Sequence, residues 1–384
     1  MSQNEILRVE HLKKYYPVEK SFLEKTLTRC KHFVKAVDDV SFTVQRGEIF
    51  TLAGESGCGK TTTGKLIVRL MPPTSGKIFF NGAEITGLDH EALRVLRRKM
   101  QIIFQDPYAS FNPRMKIGKA VGHPLEIHEL ARHEETRESV LLIRKSLDRH
   151  RKLCYILEKA WKNSVVRSLE RYLIGRNPLA KLATTRRVDR TRERVLEILD
   201  RVGLTPAEKF VDLYPHQMSG GQRQRAAMAR ALILQPEFIV ADEPVSMIDV
   251  SLRTAIVDLM LSLRRDFGLT YLFITHDLAI AKYISDRIGI MYLGKIVELG
   301  DKQTIFENPL HPYTQALLAA IPVPVPERKR KASQLVGDVP SAINIPSGCR
   351  FRTRCRYAEE SCEGKEPELV EVSPGHYVAC PFEQ

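Results

Sequence analysis

An α/β fold with a mostly parallel core sheet is predicted, interrupted by an inserted helical subdomain and closed by a small cysteine-bearing extension. The runs EIFTLAG (48–54), QIIFQ (101–105), FIVAD (238–242) and TYLFIT (270–275) are continuously apolar, as strands buried on both faces are, and helical spacing follows or separates them. Residues 54–61, GESGCGKT, match G-x-x-x-x-G-K-[ST] at every fixed position and stand between the first run and the first helix, the context that makes the match a P-loop. From 107 to about 200 the alternation stops and only helix-like sequence remains.

Taken in order, KTTTGKLIVRLM (60–71) has helical spacing until Pro72-Pro73 stops it, and further helices are expected at about 221–235, 251–266 and 278–285. After Pro309, HPYTQALLAAIP reads as a helix followed by a proline-rich and then basic linker. The glycine loop does not recur, so one ATPase unit is expected: a nucleotide-binding domain over 1–320 and an extension over 321–384.

The chemistry follows from strand ends. In Gly54, Glu55, Ser56, Gly57, Cys58, Gly59, Lys60, Thr61 and Thr62, backbone N–H groups and a helix N-terminus would cradle the phosphates of ATP. Lys60 would reach the β/γ-phosphates, and the Thr61 hydroxyl would ligate Mg²⁺. FIVADE puts Asp242 where it can hold Mg²⁺ through water, with Glu243 placed to polarise the attacking water. His276 ends TYLFITH, where an imidazole can link the γ-phosphate to that acid, and Gln105 offers an amide to Mg²⁺ or the water. A second anion grip, MSGGQRQR (218–225), stands far downstream, its adjacent glycines freeing backbone N–H groups.

Composition narrows the classes. The polar start MSQNEILRVEHLKKYY lacks an apolar signal core and no later run reaches about 18 apolar residues, so a cytoplasmic protein is expected. Seven cysteines, an odd number, do not make a disulfide framework. The net charge of +13 invites a nucleic-acid reading, but residues 131–194 hold 18 Lys/Arg against 8 Asp/Glu, so most of the excess belongs to one segment. Within it Ile143, Leu147, Cys154, Leu157, Trp161, Val165, Leu169 and Tyr172 recur at three- and four-residue steps, predicting a long amphipathic helix or helical pair. Its apolar stripe would pack on the subdomain, or its basic face would meet lipid headgroups or a partner's loops.

GESGCGKT, Gln105, MSGGQRQR, FIVADE, SMID and His276 stand in the order found in the nucleotide-binding subunits of ABC transporters, which residues 5 to 320 resemble. The resemblance implies a P-loop NTPase of ABC type with a helical subdomain over about 107–220, and an extra basic insertion at about 131–190. It also implies that Ser219, Gly220, Gly221 and Gln222 form the signature motif, which binds the γ-phosphate of ATP held by a second subunit's phosphate loop. Two grips in one chain then serve two ATP molecules. Asp249, with Ser246 in SMID, would make the cross-subunit contact, and Tyr16 would stack on adenine. Met218 replaces the usual Leu, and SMID the usual Ser-Ala-Leu-Asp.

QDPYASFNPRMKIG, ENPLHPYTQALLAAIP and the cysteine-bearing tail are similar to the oligopeptide/dipeptide importer ATPases, in particular the second ATPase of such systems. That implies a peripheral subunit on the cytoplasmic face of the membrane, hydrolysing ATP in a heterodimer with a paralogue or in a homodimer. Two membrane-spanning permease subunits and an extracytoplasmic solute-binding protein would complete the system; relatives carry peptides, nickel or sugars. A soluble ABC ATPase acting on ribosomes or nucleic acid is the alternative, disfavoured because such relatives carry two ATPase units or coiled-coil arms; no nucleic acid is expected.

Cys349, Cys355, Cys362 and Cys380 fall in a tail too short to build much core. Four thiolates suit a [4Fe–4S] cluster or tetrahedral Zn²⁺, and buried free thiols are the third reading. The spacing C-x₅-C-x₆-C-x₁₇-C lacks the close pairs of zinc sites and favours the cluster, which similar importer tails are associated with.

Overall fold

The computed structural model describes residues 4–18, 33–128, 178–321, 337, 340–380 and 382. Most of the predicted basic insertion at 131–190, its apolar stripe, and the linker after 321 lie outside the described residues. The chain forms two compact units, Met1–Asp106 with Pro236–Gln384, and Pro107–Gln235.

The first unit begins with β1 (Glu5–Pro17), β2 (Phe33–Gln45), β3 (Ile49–Ala53), α1 (Lys60–Ile67), β4 (Ser75–Phe80), β5 (Ala83–Glu84), α2 (His90–Leu96) and β6 (Met100–Ile103). The second holds α3 (Ile117–Ile127), α4 (Pro178–Arg201), α5 (Ala207–Val211) and α6 (Gly220–Leu232). The chain then returns to the first unit as β7 (Phe238–Asp242), α7 (Val250–Phe267), β8 (Thr270–Thr275), α8 (Leu278–Ile284), β9 (Arg287–Tyr292), β10 (Lys295–Asp301), α9 (Lys302–Glu307), α10 (Pro312–Ala319), β11 (Val370–Ser373) and β12 (His376–Val378).

The core sheet has the order β11-β12-β10-β9-β3-β8-β7-β6. From β9 to β6 neighbours run parallel, whereas β10, β12 and β11 extend it antiparallel. Every residue of β3, β7 and β8 is buried, which is why these strands lack the alternation of a half-wet sheet. Parallel pairing brings the carboxyl ends of β3, β6, β7 and β8 to one edge, the position at which α/β sheets hold ligands.

Two departures from the expected elements have local causes. A four-stranded antiparallel sheet, β2-β1-β4-β5, is absent from the predicted elements. Ile6, Leu7, Val9 and Leu12 of β1 are buried, but register shifts between Glu5 and Leu7 and between Val9 and Leu12 break the period of two. α1 stops at Ile67 rather than 71: Arg69 adopts φ 54°, and Leu70 N–H closes back on Lys65 O at 2.9 Å before either proline is reached.

In the second unit the signature segment opens α6. The Ser219 hydroxyl accepts from Gln222 N–H at 3.3 Å while Gln222 Oε1 accepts from Ser219 N–H at 2.9 Å, a reciprocal capping box. Arg223 lays its guanidinium 3.5 Å from the Tyr108 ring centroid, and Arg230 lies over Phe111 at 4.6 Å, pinning the stretch after Gln105 to this helix.

At the antiparallel edge, fully buried Glu298 accepts from Leu310 N–H at 2.8 Å and His311 N–H at 3.2 Å, and lies 2.8 Å from His376 Nε2 on β12. His311 caps α10 by accepting from Tyr313 N–H at 3.0 Å. Burial pushes its pKa down from 6.5 to about 3. A depressed histidine contributes stability that is complete above pH 6.5 and lost as pH falls toward 3. Acidification from pH 7 to about 4.5 is expected to cost about 2–3 kcal/mol through this residue. Denaturant unfolding of His311→Asn, which keeps a capping acceptor without the titration, should show a shallower acid limb.

Candidate nucleotide-binding site

β3 delivers the chain into a glycine loop that has no room for a side chain at Gly54 or Gly59. A Cβ on Gly54 would lie 2.2 Å from Met291 O, and one on Gly59 2.1 Å from Ala36 O. Gly59, at φ 111°, stands at the N-cap of α1 without a side-chain cap, so first-turn N–H groups remain for an anion.

Lys60, 4% exposed, donates through Nζ to Gly54 O at 2.8 Å and Glu55 O at 2.9 Å, so its ammonium lies across the loop. Thr61 Oγ1 donates to Asp242 Oδ1 at 2.7 Å. Burial raises the Asp242 pKa, opposed by the Thr61 hydroxyl bond. Hydroxyl, carboxylate and the nearby Gln105 amide are hard oxygen donors, the set that suits Mg²⁺, which keeps several waters and needs few protein ligands.

Glu243 follows β7 in a left-handed conformation, φ 46°, its N–H bonded to Ile274 O at 2.9 Å. A non-glycine residue there costs about 1–2 kcal/mol, a strain that collects at functional sites. The turn aims its carboxylate so that Oε2 accepts from Gln105 Nε2 at 2.9 Å and Oε1 lies 3.1 Å from His276 Nδ1. Glu243 is nearly enclosed, at 12% exposure, and His276 is half exposed at 53%. Gly54, Glu55, Ser56, Gly57, Gly59, Lys60, Thr61, Thr62, Gln105, Glu243 and His276 share one cavity of about 560 Å³ with Ala36 and Leu317.

Other predicted site residues lie elsewhere. Cys58 is buried beneath the loop, its thiol pKa raised by burial. Asp242 meets the site through Thr61. Tyr16 is outside the cavity lining, its hydroxyl 3.1 Å from Met71 Sδ. Asp249 is exposed at the N-cap of α7, and Ser246 donates to Glu243 O at 3.0 Å. Ser219, Gly220, Gly221 and Gln222 form the start of α6 in the other unit. Sequence reasoning missed Tyr313, whose hydroxyl accepts from Glu55 N–H at 2.9 Å, and Arg354, which meets the Glu55 carboxylate. The only available signal was the run HPYT and the arginines of CRFRTRC, read for its cysteines alone.

The expected cysteine-bound cluster or zinc finds no support among the described residues. Cys349 N–H donates to Cys362 O at 2.8 Å, and the Cys349 thiol lies within electrostatic range of Cys355, Cys362 and Cys380. Yet among the described residues no three or more His, Cys, Asp or Glu side chains are gathered to hold a metal ion. Burial pushes Cys349 up to about 11, with the neighbouring cysteines adding to the shift, and burial raises Cys355 as well. Cys349 and Cys362 pack with Tyr292, Tyr313 and Phe351, as buried free thiols do.

The family model "ABC transporter" matches residues 37–246, spanning the phosphate loop, the signature segment and the Asp242–Glu243 pair. The chain belongs to the ABC transporter ATPase family. A second model, "Oligopeptide/dipeptide transporter, C-terminal region", matches residues 297–362. The chain is 40% identical to the oligopeptide transport ATP-binding protein AppF of Bacillus subtilis, over 99% of this chain and 98% of that one. It is 39% identical to the dipeptide transport ATP-binding protein DppF of Haemophilus influenzae, over 98% and 96%. The ATP-binding cassette MJ0796, solved as a dimer with ADP and Pi, aligns with TM-score 0.54 at 22% identity, over 77% of this chain and 99% of that one, a likeness of fold. Among the described residues of this ABC ATPase no helix is long and apolar enough to cross a membrane.

Proposed function

We propose that this chain is the ATP-hydrolysing subunit of a peptide importer, bound peripherally at the cytoplasmic face of the membrane. The observation that carries it is the junction of Gln105, Glu243 and His276 in the same cavity as the phosphate loop, in a chain whose relatives are named for oligopeptide and dipeptide transport. Those names also count against the ribosome or nucleic-acid alternative.

In this reading the loop N–H groups and Lys60 hold the β- and γ-phosphates, and Thr61, Asp242 and Gln105 hold Mg²⁺, which when bound neutralises charge developing on the phosphates. Glu243 orients the attacking water and draws its proton, with Gln105 and His276 fixing the carboxylate from both sides. Water oxygen bonds to the γ-phosphorus, the bond to the β–γ bridging oxygen breaks, and ADP and phosphate leave. Ser219, Gly220, Gly221 and Gln222, with Asp249, face the ATP of a second ATPase subunit, so the N-terminus of α6 completes a site its own chain does not hold. Tyr16 is assigned to the adenine. Two permease subunits and a solute-binding protein complete the system, and the domains follow as nucleotide-binding core over 1–320, inserted helices and C-terminal extension.

The test is reconstitution with the permease and binding-protein subunits in proteoliposomes. ATP-dependent uptake of a labelled peptide that also raises hydrolysis supports the proposal. Hydrolysis unaffected by any peptide, with no uptake, overturns the peptide assignment.

A further inference from the structure

Glu55, the first variable residue of the phosphate loop, is engaged at every polar group it has. Its N–H donates to the Tyr313 hydroxyl at 2.9 Å, and its carbonyl accepts from Lys60 Nζ at 2.9 Å. Its carboxylate takes both arms of a guanidinium, Arg354 Nη1 to Oε2 at 2.7 Å and Nη2 to Oε1 at 3.0 Å. Two of these three grips come from the C-terminal region, at sequence separations of 258 and 299 residues.

Arg354 is delivered by a stiff piece of chain. Its side chain is 5% exposed, at the end of a short 3₁₀ turn over Arg352–Arg354. Two residues before that turn, Arg350 pairs with Asp38 and Glu366 and donates to Leu293 O. Between the two arginines, Phe351 packs edge-on to Tyr292 at 5.4 Å and tilted against Tyr313 at 5.4 Å.

Stability alone is a poor reason for this pair. A largely buried ion pair contributes little net free energy, and the glycines already seat the loop on the backbone at Met291 and Ala36. The electrostatic consequence is different. A carboxylate beside a cradle for phosphate repels the anion that the cradle should attract, and a bidentate guanidinium cancels it while fixing the direction of the 54–55 peptide.

We propose that Arg354, acting through Glu55, is a positioning residue of the phosphate loop, so that the C-terminal extension sets the affinity for nucleotide phosphates. The inference rests on the reading of this loop as the ATP site. ATP binding to the full chain by calorimetry, with thermal midpoints measured in parallel, tests it. Arg354→Gln is expected to weaken ATP binding by about 10–50-fold at a temperature where the variant is fully folded, and Arg354→Lys, which keeps the charge but loses the fork, by less. In a Glu55→Gln background the same Arg354→Gln change should have under about two-fold effect, because no carboxylate remains to neutralise. A merely structural Arg354 would lower the thermal midpoint in both backgrounds without that rescue. Unchanged ATP affinity in Arg354→Gln, or an equal loss in the Glu55→Gln background, overturns the inference. Should Arg354→Gln fail to fold, Arg354→Lys takes its place: weaker ATP binding with Glu55 present and under about two-fold change in the Glu55→Gln background upholds the inference, and unchanged affinity or an equal loss in both backgrounds overturns it. Lys60→Ala is the control for the underlying reading: if it too binds ATP normally, the ATP site itself is misassigned.

Discussion

Glu243→Gln is expected to keep ATP bound while hydrolysis falls by about 10²–10⁴-fold, the range for losing a positioned general base. The amide preserves the size of the side chain and keeps one oxygen to accept from Gln105 Nε2, so the cavity and its metal donors stay in place. What is lost is the charge that draws the proton of the attacking water. Single-turnover hydrolysis of ATP in the assembled complex, with nucleotide binding measured beside it, checks this. Hydrolysis at the parent rate removes Glu243 from the role assigned to it.

The second large effect is an asymmetry between the two anion grips. Lys60→Ala should raise the Kd for ATP in its own loop by about 10²-fold, since a buried ammonium that bridges Gly54 O and Glu55 O also supplies the loop's point charge for phosphate. Ser219→Ala should leave that affinity within about two-fold and instead abolish ATP-dependent dimerisation, because Ser219 caps α6, whose N-terminus we propose faces another subunit's nucleotide. Mixing singly substituted subunits and following association by light scattering separates the two. Equal loss of nucleotide binding in both variants would refute the composite site.

The parts of this molecule that were legible in the sequence are those whose determinants are local. FIVAD and TYLFIT were read to the residue because strands buried on both faces are continuous apolar runs, and β7 and β8 have those limits. The phosphate loop was legible because its glycines and Lys60 meet constraints imposed within eight residues. The antiparallel sheet was not, because bulges in β1 disrupt the alternation that announces a half-buried strand. The four thiols announced a ligand set by count, whereas the packing of Cys349 and Cys362 around Phe351 is something composition cannot report. The grip of Arg354 and Tyr313 on Glu55 had no signal near Glu55, only the run HPYT and the arginines of CRFRTRC far along the chain.

That separation also bears on synthesis. The phosphate loop leaves the ribosome 299 residues before the arginine that neutralises its acid and 258 before the tyrosine that holds its N–H. At about 5–20 residues per second, roughly 15–60 s pass during translation between the appearance of Glu55 and that of Arg354. The cradle itself cannot form before β8 and β9 flank β3 and Met291 seats Gly54, so a formed cradle lacks the guanidinium only while the stretch from Met291 to Arg354 is being made.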